Sequence, residues 1–142
     1  MQAILPVTVA IPTYRREQVL LETLDYLLAL DSPPAEILVL DQTERHAPAI
    51  GQRLMELHAA GRIRWLQLDT PSIPQAMNRG LLEARQDIVL FVDDDIRPEP
   101  GLIAAHAAAH RRMRRCWWRG GSSSLGMKVW ILHPDSILNL QA

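Results

Sequence analysis

Ile88-Val89-Leu90-Phe91-Val92-Asp93-Asp94-Asp95 is the stretch whose reading decides the fold. An apolar run rich in β-branched and aromatic side chains predicts a strand buried on both faces, as in a parallel sheet. The run stops abruptly at three carboxylates, which repel one another unless something cationic is close. Two readings are open from these residues alone. The acids fit a hard divalent cation, which takes carboxylate oxygens together with substrate phosphates. They also fit a solvated acidic turn.

Toward the N-terminus the same kind of strand recurs. Val7 to Ile11 is a buried-type strand that Pro12 is expected to stop. Leu20, Leu24, Leu27 and Leu28 lie on one face of a helix spanning residues 17–30, as core positions, and Ser32-Pro33-Pro34 breaks it. Ile37 to Leu40 is a second buried strand, ending at Asp41. Ile50, Leu54 and Leu57 mark a second helix, closed by Gly61. Residues 63–68 form a third strand, which Arg64 and Gln67 suggest is an edge. Ser72 is placed to cap a third helix, with Pro74 in its first turn and Leu81 and Leu82 facing inward. After the acids, Pro98 and Pro100 introduce an alanine-rich helix running to about His110.

Strands alternating with helices at this spacing predict right-handed crossovers. The fold class is therefore α/β, a Rossmann-like parallel sheet of about four strands with flanking helices. Such sheets bind ligands at the carboxyl ends of their strands. Every unusual polar element falls there: Pro12-Thr13-Tyr14, then Asp41, then Asp93 to Asp95.

With 142 residues the chain has room for one domain with a real core. The formal net charge of -1 gives no electrostatic case for nucleic acid as the main partner. A single cysteine, Cys116, excludes an internal disulfide and fits a reducing compartment. No basic residue precedes the first apolar run, and no run approaches the roughly 20 apolar residues that span a bilayer. A cytoplasmic protein is expected, with any peripheral membrane association supplied by other regions.

In order and spacing, residues 9–16 (Val-Ala-Ile-Pro-Thr-Tyr-Arg-Arg), the strand 37–41, Asn78-Arg79-Gly80 and Phe91-Val92-Asp93-Asp94-Asp95 resemble one known pattern. It is the N-terminal half of a family 2 glycosyltransferase with the GT-A fold, an inverting class that uses nucleotide sugars. The likeness covers residues 7–110. It implies that Pro12, Thr13 and Tyr14 wall the donor's base, although Thr13 is also placed to cap a helix. Asp41 would accept the imide N–H of a pyrimidine, favouring UDP or dTDP donors. Where the family usually has a second acid, this chain has Gln42. Asp93 would lie near the ribose and the metal shell, and Asp95 would ligate Mg2+ or Mn2+ against the diphosphate. Asp94 is expected to point away, since neighbours on an extended segment face opposite sides. Arg79 reads as a solvated helix residue, because the family's usual basic position is Met77 here. The family's general base lies well beyond the acids, and no residue of this chain matches it.

Residues 1–110 thus read as the nucleotide-sugar-binding half, and residues 111–142 as an atypical tail. Its Arg111 to Gly121 segment, basic with paired tryptophans, is open to an explanation from the genetic code. Spelled TGC-TGG-TGG-CGG-GGC-GGN and read two bases later, Cys116 to Gly121 becomes Leu-Val-Ala-Gly-Arg, which resembles the family's next strand. A frameshift near His110 is the resulting hypothesis. On it, Val129 to Leu132 keep only the ability to dock on the sheet. His106 and His110 have metal-ligand spacing but no third ligand in sight.

Two other functions fit parts of the pattern. One is a phosphatase of the haloacid dehalogenase type, whose Asp-x-Asp also follows an apolar strand. There the acidic strand opens the domain, whereas here three strand–helix units precede it. The other is a nucleotide-binding fragment without transfer activity.

Overall fold

The computed structural model describes residues 4–69, 71–86, 88–95, 101, 103–105, 107–108, 121–122 and 128–131. Strand β1 (Leu5–Thr13) is followed by α1 (Glu17–Leu28), β2 (Pro34–Asp41), α2 (Pro48–Ala59), β3 (Arg64–Gln67), α3 (Ile73–Glu83) and β4 (Ile88–Phe91). Helical residues at 101, 103–105 and 107–108 come next. Two short strands, β5 (Gly121–Ser122) and β6 (Lys128–Ile131), complete the order β3-β2-β1-β4-β6-β5. The first four strands are parallel, as the βαβ pattern predicts. Strands β5 and β6 add an antiparallel pair on the β4 side, with Leu90 opposite Val129.

The core divides between the two faces of this sheet. On one face Val7, Val9, Ile11, Ile37, Val39 and Leu90 pack with Leu20, Leu24 and Leu27 of α1 and Leu54 and Leu57 of α2. Ile103 and Ala107 join that layer. On the other face Ala10, Leu38, Leu40, Val89 and Phe91 receive α3 through Ala76. All four residues of β4 are buried, as a strand covered on both sides requires. Strand β3 is partly exposed along its length, which fits the expected edge.

Local chemistry sets the boundaries. Gly61 closes α2 at φ 74, where only glycine escapes the Cβ penalty. Its N–H reaches His58 O and that of Arg62 reaches Leu57 O, both at 3.0 Å, the paired bonds of a Schellman cap. Ser72 caps α3 by accepting from Gln75 N–H at 3.4 Å, with Pro74 in the first turn.

Three expectations need correction. Strand β1 does not stop at Pro12 but continues to Thr13, with Pro12 opposite Leu40. A proline is tolerated here because successive residues of a strand bond to alternate neighbours. The ladder with β4 ends where Val92 N–H donates to Ala10 O at 3.0 Å, and Pro12 has no N–H for the next rung. The chain after Val92 is thereby released from the sheet. Leu82 is not inward but 64% exposed, because Ala76 and Gly80 occupy the buried face of α3. Thr13 does not cap α1, whose N-cap is Arg16 without a side-chain bond. The pair His106 and His110, Cys116 and Leu132 lie outside the described residues.

Candidate donor-binding site

Strands β1, β2 and β4 end on one rim, with Thr13 opposite Asp41 and Ala10 opposite Phe91. Over these ends lies a cleft of about 290 Å³. Pro12, Ile73, Met77 and Phe91 give it an apolar wall, Asp93, Asp94 and Asp95 an acidic one, and Tyr14, Arg16 and Gln42 also line it. Ile73, at the start of α3, is 64% exposed although large and apolar.

The acids divide by burial. Asp93 and Asp95 are exposed and Asp94 is buried, yet the chain turns at Asp94 and Asp95 instead of staying extended, and all three line the cleft. Asp94 is nevertheless held by the domain: Thr13 Oγ1 donates to its Oδ2 at 2.9 Å, and its backbone carbonyl accepts from Thr23 Oγ1 at 2.6 Å. Burial pushes the Asp94 carboxyl above the usual carboxylate range, opposed by the Thr13 bond and by Arg16 and reinforced by Asp95 and Asp93. Arg16 Nη1 lies 3.2 Å from Asp95 Oδ2 and 3.9 Å from Asp94 Oδ1. The acidic turn is therefore neither dispersed nor free. It is pinned at its centre and, among the described residues, met by Arg16.

Tyr14 is 38% exposed, with its hydroxyl donating to Glu44 Oε1 at 3.2 Å. Arg15 takes a positive φ of 55, an uncommon conformation for a residue with a Cβ. Its N–H donates to Thr43 Oγ1 at 2.9 Å, and its guanidinium grips Glu44 through Nη2 at 2.9 Å and Nε at 3.1 Å. That pair holds the Glu44 carboxyl down at about 2, chiefly through the Arg15 hydrogen bond. The turn carrying Tyr14 is thus fastened to the loop after β2.

Asp41 occupies a different position from the one its place at the strand end suggests. It is fully buried, and its carboxylate is turned into the domain. Thr43 N–H donates to Oδ1 at 2.9 Å, Trp65 Nε1 donates to Oδ2 at 2.8 Å, and His46 Nε2 contacts the same Oδ2. His46 Nδ1 is buried and lies 3.6 Å from Glu17 Oε2. Gln42, next in the chain, lines the cleft where Asp41 does not. Arg79 projects from α3, 52% exposed, and pairs with Glu83 at 3.2 Å. Among the described residues, no three His, Cys, Asp or Glu side chains converge into a metal cage.

Sequence reasoning found the three strand ends but not the roles of Gln42, Arg16, Ile73 or His46. The signal for Gln42 was present, as a polar residue directly after a buried strand. His46 was not legible, because its partners come from β2, α1 and, through Trp65, β3.

The fold has solved counterparts. A mannosyltransferase from Pyrobaculum calidifontis, solved with GDP-Man and Mn2+, is similar with a TM-score of 0.68 at 19% identity, covering 96% of this chain and 46% of that one. TarS from S. aureus (residues 1–349) matches with a TM-score of 0.60 at 25% identity, over 76% of this chain and 33% of that one. Glucosyl-3-phosphoglycerate synthase from Mycobacterium tuberculosis, solved with Mn2+, UDP and glucosyl-3-phosphoglycerate, matches with a TM-score of 0.51 at 23% identity, over 69% and 37%. The chain therefore spans between a third and just under half of the length of these proteins. No curated protein matches it. The parallel sheet and its helices are those of the GT-A fold. The family model described as glycosyl transferase family 2 matches residues 8–117, well over half of the sequence, and the chain belongs to that family.

Proposed function

We propose that this chain binds a nucleoside-diphosphate sugar in the cleft at the carboxyl ends of β1, β2 and β4. The reaction served is transfer of the sugar to an acceptor hydroxyl with inversion. The observation that carries this reading is the cleft's polarity: apolar residues Pro12, Ile73 and Met77 line it together with the acids. A base suits the first and a cation-bridged diphosphate the second. Relatives of the same fold have been solved with GDP-Man and Mn2+, and with UDP-GlcNAc.

A divalent cation fits the residues present, on one condition. The protein alone offers no three-ligand cage among the described residues, so the ion must arrive with the diphosphate. Magnesium-like ions are held in that way, by one or two carboxylates plus phosphates and water. Asp95 and Asp93, both exposed, would hold it, while Asp94 is committed to Thr13. Bound there, Mg2+ or Mn2+ would neutralise charge on the departing nucleoside diphosphate. Arg16 now bonds Asp95 and must yield that carboxylate or share it. Tyr14, fastened through Glu44, supplies an aromatic face at the rim. Pro12 and Thr13 complete the wall as strand-end backbone.

The acceptor side has no assigned base among the described residues, so donor binding is the activity proposed for the chain itself. Residues 1–110 carry it, and residues 111–142 are read as a distinct tail. Among the described residues no helix is long and apolar enough to cross a membrane. Calorimetry with UDP- and GDP-sugars, with and without Mn2+, tests the reading. Metal-dependent heat with a nucleotide sugar is the expected result, and none with any donor overturns it. Sugar transfer by the 142-residue chain would overturn the restriction to binding. The gene sequence tests the frameshift: early stops in the shifted frame would remove it.

A further inference from the structure

The carboxylate expected to read the base is turned into the domain, and its neighbour lines the cleft. Gln42 is buried at the end of β2, 4% exposed, with its backbone N–H donating to Thr13 O at 2.9 Å. Its side-chain Oε1 accepts from the backbone N–H of Ser72, which precedes α3. A backbone N–H only donates, so the atom facing it must be the carboxamide oxygen. The orientation of the amide is thereby fixed, and its Nε2 end is the one left for the cleft. No acceptor for that NH2 is found among the described residues.

The placement suits a base. Gln42 shares the cleft with Pro12, Ile73 and Met77, whose apolar surfaces would flank a planar ring. Gln42 follows β2, Asp93 follows β4, and β1 lies between them. Two interstrand spacings put roughly 10 Å between these strand ends. A base, its ribose and the first phosphate fill such a span.

We propose that Gln42 is the base-contacting residue after β2, its Nε2 donating to a carbonyl oxygen on the edge of the base. This rests on the donor-binding reading above and deepens it. An amide NH2 demands an acceptor, whereas a carboxylate in its place would demand an N–H. Uracil, thymine, guanine and cytosine all present a ring carbonyl. Adenine has no carbonyl, but its ring nitrogens also accept from an amide NH2, so the carbonyl contact is read from thio-substituted bases and not from adenine. Asp41 then serves as a positioning residue that shapes the loop carrying Gln42, through its bond to Thr43 N–H.

The test uses the full chain and calorimetric titration in Mn2+ with UDP, GDP and CDP. Replacing the base carbonyl by a thiocarbonyl, in 4-thio-UDP or 6-thio-GDP, keeps the ring N–H but weakens the acceptor. A several-fold loss is expected in the wild type. In Gln42→Met that difference should collapse, the coupling signature of a direct contact. Gln42→Glu provides a second variant that still offers Ser72 N–H an acceptor, and there too the oxo preference should vanish. An oxo-over-thio preference that is absent from the wild type or undiminished in either folded variant overturns the proposal. In those cases donor binding itself still stands. If no nucleoside diphosphate binds the wild type, both the donor site and this assignment fall.

Discussion

A methyl group added at Gly80 offers a sharp test of how α3 sits on the sheet. In Gly80→Ala the new Cβ would lie 2.8 Å from Leu40 Cδ1, 3.1 Å from Phe91 Cε1 and 3.3 Å from Phe91 Cζ. Carbon atoms in contact prefer roughly 3.5–4.0 Å, so something must move by about half an ångström or more. Leu40 and Phe91 have nowhere easy to go, being 0% and 4% exposed. Two effects of opposite sign compete. Alanine inside a helix gains about 1 kcal/mol over glycine, while overpacking a closed core costs about 1–3 kcal/mol. Because the nearest approach is well inside contact distance, overpacking should win, leaving a net loss of about 1 kcal/mol. In a domain of this size that lowers Tm by about 3–5 °C. Thermal and urea unfolding of wild type and variant measure it directly. Since Ile73 and Met77 ride on the same helix, nucleotide affinity should fall along with stability. A variant as stable as wild type, or more so, would refute the close approach of helix and sheet.

Three other outcomes are expected. Glu36→Ala removes the acceptor of Thr8 Oγ1, Arg64 Nη1 and Arg85 N–H, and urea unfolding should show a loss of about 3 kcal/mol, the low end for breaking a buried pair because Arg64 retains Glu83. A loss under about 1 kcal/mol would mean that the network contributes little. In an NMR titration the Glu44 carboxyl should titrate at about 2 and return to the ordinary carboxylate range in Arg15→Met. Its folded form is depressed, so its contribution is present above the ordinary carboxylate range and is lost as pH falls toward about 2. Asp94 behaves oppositely. Its folded carboxyl is raised by burial, so the native state holds the proton more firmly than the unfolded chain, and stability falls as pH climbs through the carboxylate range and above it. Asp94→Asn should be the more stable form at neutral pH, with the gap closing in acid. A gap constant from pH 3 to 8 would exclude this origin.

The strands were readable because burial on two faces leaves an unmistakable signature: Val7 to Ile11, Ile37 to Leu40 and Ile88 to Phe91 are almost purely apolar and rich in β-branched residues. Caps were readable for the same local reason, Ser72 and Gly61 each satisfying bonds within a turn. Leu82 was misread because the tight seat of Gly80 rotates α3 away from it, a fact of packing rather than of periodicity. Pro12 was misread as a terminator because the number of ladder rungs on each side of β1 depends on where β4 ends. At the site, the acids announced themselves, but which of them is committed did not. That depends on a hydroxyl from Thr13, 81 positions away. The enclosure of Asp41 is likewise written by Trp65 and His46, neither of which signals its partner in sequence.

Strand β6 has a consequence beyond completing the sheet. It pairs with β4 from Ile88 to Phe91, occupying the flank that would otherwise offer unsatisfied peptide groups to any passing strand. Such flanks recruit other molecules. A shortened protein lacking residues 121–142 should therefore stick to itself along the very strand that delivers the aspartates, becoming sedimentable as concentration rises. In this structure β6 is what covers that flank.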